Sequence, residues 1–327
     1  VLPPTGYEST HFTGVSDDGV WMSGGVNQPG NVGSLAVRYS VPGGFEIYDD
    51  LGDPGEAPRA FGTAISADGS TVAGYGRIAS TNYPTRWRTS TPEVTGPAGA
   101  QGGKTSGDGE AVTYFGFGTG SGLWTPIATH TISTSLVIPQ TVSDDGLVVD
   151  GGVTPWRWDL TGGFESLPML PGFVTGNIYA SSADGSVLAG GAPNAANGDA
   201  AFIWTRAYGT RSVREVLAAN GILVGGWELW NVRDMSPDGR YMIGEGRNPS
   251  GAGEAWYAFI PSLEPSPCSW AAACVGDFDR SGGIDGDDIG AFFASWRAGD
   301  ICSDVDRSGG TDGDDIAAFF DAWQSGC

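Results

Sequence analysis

Short apolar runs punctuated by one polar phrase organise most of this chain. Ser-x-Asp-Gly recurs six times, at Ser16-Asp-Asp-Gly19, Ser66-Ala-Asp-Gly69, Ser106-Gly-Asp-Gly109, Ser143-Asp-Asp-Gly146, Ser182-Ala-Asp-Gly185 and Ser236-Pro-Asp-Gly239. Each copy sits between apolar stretches too short for helices, as in Thr63-Ala-Ile-Ser66 and Thr71-Val-Ala-Gly74. Asp-Gly is the turn that a hairpin needs. Most hairpins are followed by an aromatic strand, marked by Val37-Arg-Tyr39, Thr85-Arg-Trp87, Gly122-Leu-Trp124, Pro155-Trp-Arg-Trp158, Phe202-Ile-Trp204 and Ala255-Trp256. A Gly-rich turn and a fourth short strand then close the unit, as at Gly43-Gly-Phe-Glu-Ile-Tyr48. The six Asp positions are spaced 50, 40, 37, 39 and 54 residues apart. Four strands in about 40 residues is the arithmetic of a propeller blade, so the pattern predicts a mainly β, six-bladed ring over residues 1–263. A β-sandwich or a solenoid is the alternative. Leu2-Pro3-Pro4 matches the Leu-Pro that ends the fourth strand at Leu167-Pro168 and Leu170-Pro171, which predicts that the amino terminus completes the last blade. The longer gaps are read as insertions, with a short helix at Arg214–Asn220 stopped by Gly221 and a loop from Asn27 to Gly33.

After Pro261-Ser-Leu-Glu-Pro-Ser-Pro267, a semi-rigid spacer, the period changes. Ile289, Phe292, Phe293 and Trp296, then Ile316, Phe319, Phe320 and Trp323, fall at i, i+3, i+4 and i+7, the stripe of an amphipathic helix. Helices of about ten residues are marginal alone in water, so the two are expected to pack through these aromatics. Directly before each stripe stands the same twelve-residue loop, Asp277-Phe-Asp-Arg-Ser-Gly-Gly-Ile-Asp-Gly-Asp-Asp288 and Asp304-Val-Asp-Arg-Ser-Gly-Gly-Thr-Asp-Gly-Asp-Asp315, 27 residues apart.

A calcium ion takes six to eight oxygens, which an EF-hand-type loop supplies from positions 1, 3, 5, 7, 9 and 12. In the first loop these are Asp277, Asp279, Ser281, the carbonyl of Gly283, Asp285 and Asp288; in the second, Asp304, Asp306, Ser308, the carbonyl of Gly310, Asp312 and Asp315. Gly282 and Gly309 hold position 6, where the chain turns sharply. Two ions of Ca2+ are therefore expected. Residues 268–327 resemble a dockerin-type pair of calcium loop-helix repeats, a family in which Asp commonly stands at position 12 and the first loop lacks an entering helix. That resemblance implies a protein partner, recognised in the family through small hydroxyl residues at positions 10 and 11. Here those positions are Gly286-Asp287 and Gly313-Asp314, a departure from the cohesin-binding pattern. The Ser-x-Asp-Gly units over 1–263 resemble HAF-like extracellular repeats and, more loosely, TolB-like propeller blades, which implies a secreted location and no particular activity.

Charge narrows the partners. The chain has 327 residues and a net charge of −22, with 12 Asp and 3 Arg in the part beyond Pro265. Such a balance repels nucleic acid and anionic lipid, and no apolar run approaches the roughly 18 residues of a membrane helix. The start at Val1 rather than Met is read as the removal of a targeting segment. All four cysteines, Cys268, Cys274, Cys302 and Cys327, lie in the calcium module, the distribution of a small extracellular domain stapled by disulfides. Three pairings are possible. Zinc is the competing reading, but the spacings lack paired Cys-x-x-Cys motifs.

Catalytic signatures are absent from the sequence. It has two histidines, His11 and His130, no His-Glu-x-x-His and no Gly-x-Ser-x-Gly. Gly116-Phe-Gly-Thr-Gly-Ser-Gly122 lacks the Lys-Ser/Thr ending of a phosphate loop and reads as strand and turn. Glu228, Glu245 and Glu254 are candidates for glycan acid-base chemistry, and Trp227 and Trp230 for stacking on sugars; solvated loop positions and blade packing are the plainer assignments. The six repeated Asp residues are read as turn formers, because one or two carboxylates are too few for a calcium shell. The expectation is a secreted, non-enzymatic scaffold whose propeller is fastened, by a calcium-stabilised module, to another protein or to the next copy of itself. A polysaccharide-active enzyme, lectin or adhesin is the alternative.

Overall fold

The computed structural model describes residues 1–52, 57–193, 198–263, 274–279, 281, 283–298, 301–303, 305 and 312–326. Six antiparallel sheets follow one another along the chain, each with its strands in chain order. Their first strands are Ser9–Val15, Ala60–Ile65, Gln101–Thr105, Pro139–Val142, Asn177–Ser181 and Glu228–Met235. All six line one central channel of about 590 Å³, so the sheets are the blades of a propeller.

The repeated phrase folds identically each time. The Ser hydroxyl donates to the Asp carboxylate at 2.5–2.7 Å. The same carboxylate oxygen accepts the N–H two residues on at 2.9–3.1 Å, and the Ser hydroxyl accepts the N–H five residues on at 2.9–3.0 Å. The Gly has φ between 64° and 72° in every copy, the left-handed region that a side chain disfavours. Local hydrogen bonding thus closes each hairpin at the end of the inner strand.

Between blades, small residues let backbones approach. A Cβ on Gly102 of the third blade would come within 1.8 Å of the Gly74 carbonyl of the second. Apolar side chains fill the space between neighbouring blades, with Val72, Ala60, Ala36, Tyr48 and Trp87 buried together between the first two. Helix α1 (Val213–Ala219) begins at Ser212 with a reciprocal capping box to Glu215, ends before Gly221 (φ 72°), and adds Val213, Val216 and Leu217 to the core of the last two blades.

A belt of backbone hydrogen bonds runs through the second residue of each Ser-x-Asp-Gly phrase. Asp17 N–H donates to Ala67, Ala67 to Gly107, Gly107 to Asp144, Asp144 to Ala183 and Ala183 to Pro237, each at 2.7–3.0 Å. Five junctions are joined in this way. The sixth cannot be, because Pro237 has no N–H to offer the Asp17 carbonyl. No hydrogen bond, ion pair or ring contact joins the sixth blade to the first among the described residues, and a Cβ on Gly19 would meet nothing within 4 Å, whereas one on Gly69 would strike Trp21 at 2.3 Å.

The expectation that the amino terminus completes the last blade is therefore corrected. Among the described residues that sheet has three strands, and residues 1–8 lie in none. The chain leaves its outer strand, Gly253–Phe259, through Ile260 and Pro261, and no fourth strand pairs with it among the described residues. Tyr241, Ile243, Tyr257 and Phe259 stay exposed on the uncovered face. Elsewhere the strand and turn at 116–122 are as expected, while the loop from Asn27 to Gly33 contains a 3-10 turn at Pro29–Asn31.

The terminal module holds two further helices, α2 (Gly286–Arg297) and α3 (Gly313–Ser325). Their fully buried Phe292 and Phe319 stack at 4.3 Å with planes 1° apart, and Phe278 meets both edge-on. No helix among the described residues is long and apolar enough to cross a membrane.

Candidate metal centre

The first loop brings Asp277, Asp279 and Asp288 together, one carboxylate oxygen of each lying within 4.8 Å of the others. Oxygens bound at about 2.3–2.6 Å from one ion can be no more than about 5 Å apart, so this spacing fits a shared calcium. Position 12 organises the cage. Asp288 is fully buried, and its carboxylate accepts the N–H of Asp279 at 3.0 Å and of Asp285 at 2.8 Å. Burial pushes its pKa up, but these backbone donors outweigh burial and hold it below the ordinary carboxylate value.

Position 9 has a structural duty as well. Asp285 is the N-cap of α2, accepting the Asp287 N–H at 2.8 Å, and with Asp288 at N3 it completes a capping box of two aspartates. Ser281 donates its N–H to Asp279 at 2.8 Å, so positions 3 and 5 are tied to each other. The Gly283 carbonyl lies 3.5 Å from the Ser281 hydroxyl. A calcium ion held here would neutralise the crowded carboxylates and lock the entrance of α2.

In the second loop, Asp312 caps α3 and Asp315 is buried, its carboxylate accepting the Asp312 N–H at 2.8 Å. Asp304, Asp306, Ser308 and Gly310 lie outside the described residues. The two halves also clasp each other. Trp296, at the end of α2, donates its indole N–H to the Asp312 carbonyl at 3.1 Å, and Trp323 of α3 donates to the Asp285 carbonyl at 2.9 Å. Sequence reading placed both tryptophans on the packing stripe but missed these bonds; their equal position after each loop was the available signal. Cys274 and Cys302 are both disulfide-bonded; Cys268 and Cys327 lie outside the described residues.

Residues proposed for glycan chemistry fall in the sixth blade, where Trp227 and Glu254 line one cavity with Trp256 and Tyr257. Glu228, Glu245 and Glu254 lie on strands of the sixth blade rather than in loops, where Glu228 faces Arg247 at 3.5 Å, Glu245 pairs with Arg233 at 2.9 Å and Glu254 accepts from Asn248 at 2.8 Å. Trp227 packs against the core and Trp230 lies beneath the Arg247 guanidinium. The repeated aspartates are engaged in their own turns. Asp18 is held below its ordinary pKa by the Ser16 hydroxyl and then the Val20 N–H.

No family model matches the chain, and no curated protein matches it. Solved structures similar to it include a TolB-like protein of Agrobacterium tumefaciens (15% identity, 78% of this chain and 91% of that one, TM-score 0.43). TolB of Acinetobacter baumannii is similar at 12% identity (61% and 52%, TM-score 0.41). Prolyl oligopeptidase B of Galerina marginata is similar at 9% identity (79% and 43%, TM-score 0.48). The chain thus spans about half or less of the length of the latter two.

Proposed function

We propose that this chain is a secreted, non-enzymatic assembly protein in which the propeller is fastened through a dockerin-like, calcium-loaded module to another protein or to the next copy of itself. The observation that carries this reading is the first loop: three carboxylates gathered around one point, with the buried Asp288 bonding both loop backbone and helix entrance. Calcium there couples metal binding to the order of α2. Disulfides at Cys274 and Cys302 accord with an oxidising compartment outside the cytosol. An uncovered apolar sheet face at Tyr241, Ile243, Tyr257 and Phe259 accords with protein contact rather than isolation.

Light scattering on the purified full chain tests the reading. In millimolar calcium the protein, alone or with extracellular protein from its source, forms a complex larger than one chain; chelator returns it to the single-chain mass. A monomer indifferent to calcium, or hydrolysis of a glycan abolished by Glu245→Gln, would overturn the proposal.

A further inference from the structure

Lys104 is the only lysine among 327 residues, and it stands on the inner strand of the third blade, lining the central channel. No acidic oxygen lies within ion-pairing reach of its ammonium among the described residues. Burial pushes the pKa of this group down, and the charge of Asp234 pushes part of it back. Asp234 belongs to the inner strand of the sixth blade, across the channel from the third. Its carboxylate accepts one bond among the described residues, from the Met235 N–H at 2.8 Å. A half-buried cation and an exposed carboxylate of opposite sign therefore line one channel without an ion pair between them.

The remaining wall separates into used and unused groups. Thr13 and Thr63 donate their hydroxyls to the Gly62 and Gly103 carbonyls at 2.8 and 2.6 Å, and Thr141 donates to Asp150 at 2.7 Å. Arg233 is neutralised by Glu245 at 2.9 Å and lies over the Tyr179 ring at 4.9 Å. Gln140, Tyr179 and Ser181 also line the channel, and no hydrogen bond engages their side-chain polar atoms among the described residues. The channel volume of about 590 Å³ lies within the roughly 300–1,000 Å³ of small-molecule sites.

We infer that the channel binds a small zwitterion of the α-amino-acid type, its carboxylate on Lys104 and its ammonium on Asp234, with Gln140, Tyr179 and Ser181 reading the rest. A simple anion would meet Asp234 and, at the adjoining mouth, Asp17 and Asp144. A simple cation would meet Lys104. A molecule carrying both charges satisfies both walls, and its binding is independent of how the terminal module assembles.

A single lysine makes the test direct. Lysine-selective isotope labelling of the full, calcium-loaded chain gives one side-chain resonance to follow by NMR during titration with glycine, L-glutamine and L-leucine, with butyrate and butylamine as single-charge controls. At least one amino acid should give a saturable shift at about 10 mM or below, with both controls at least about tenfold weaker. Asp234→Asn should reduce that affinity by a similar factor while retaining the thermal transition. No saturable shift with any of the three amino acids, or a response to butyrate equal to theirs, overturns the inference.

Discussion

Aspartate serves two opposite purposes in the two regions of this molecule. In the propeller, each Ser-x-Asp-Gly turn has an Asp whose oxygen is met by a hydroxyl and a backbone N–H, all at 2.5–3.1 Å. Neutral donors suffice there, and the turn needs no ion. In the terminal module, Asp277, Asp279 and Asp288 converge within 4.8 Å, and backbone N–H groups cannot offset so many charges in one place. The contrast is one of density: an isolated carboxylate orders its own turn, while three gathered ones form the site at which the proposed calcium would bind.

Metal removal should separate the regions most clearly. With free calcium at about 100 times Kd, each site contributes about 2.7 kcal/mol to the state that binds it. Chelation, or Asp277→Ala with Asp304→Ala, should therefore abolish a low-temperature calorimetric transition while leaving the propeller transition in place. Calcium uptake should fall from two ions towards none. Equal downward shifts of both transitions would show that the regions do not differ as argued.

A change within one turn should do the reverse. Ser66 is fully buried, and its hydroxyl accepts the Thr71 N–H at 2.9 Å while donating to Asp68 at 2.7 Å. Ser66→Ala strands a buried donor, at a cost of about 1–3 kcal/mol to the propeller, and should leave calcium stoichiometry untouched. Loss of bound metal in this variant would mean that the blade turns also serve ions.

The smallest effect concerns pH. Asp150 is fully buried in the fourth blade; desolvation pushes its pKa up to about 7, against weaker opposition from the Thr141 hydroxyl and Arg157. The folded protein thus keeps a proton that the unfolded chain releases, so this group lowers stability as pH rises from 3.8 to about 7. Asp150→Asn should flatten that slope and raise the propeller melting point at pH 8 by about 2–4 °C, the effect of about 1 kcal/mol in a domain of this size. An unchanged pH profile would place the proton elsewhere.

Much of this architecture was legible in the sequence because its signals are local. A Ser hydroxyl and an Asp carboxylate reach only a few residues along the chain, so Ser-x-Asp-Gly specifies its hairpin wherever it occurs, and the stripe from Ile289 to Trp296 specifies a helix. The gathering of Asp277, Asp279 and Asp288 was readable for the same reason: the three belong to one twelve-residue loop. Ring closure was not readable from the Leu-Pro resemblance, since strand addition depends on where distant segments run in space. Yet the decisive residue, Pro237, was visible throughout; its meaning emerged only beside the belt it terminates.

By itself, then, the sequence determined the hairpins, the count of blades, the acidic cluster of the first loop and the two terminal helices, since each rests on contacts within a dozen or so residues. Only tertiary structure decided that the sixth junction is a seam, that Trp296 and Trp323 clasp opposite loops, and that the lone lysine faces Asp234 across a channel. Those relations join residues far apart in the chain, and such pairings follow from packing of whole blades and helices rather than from any local preference.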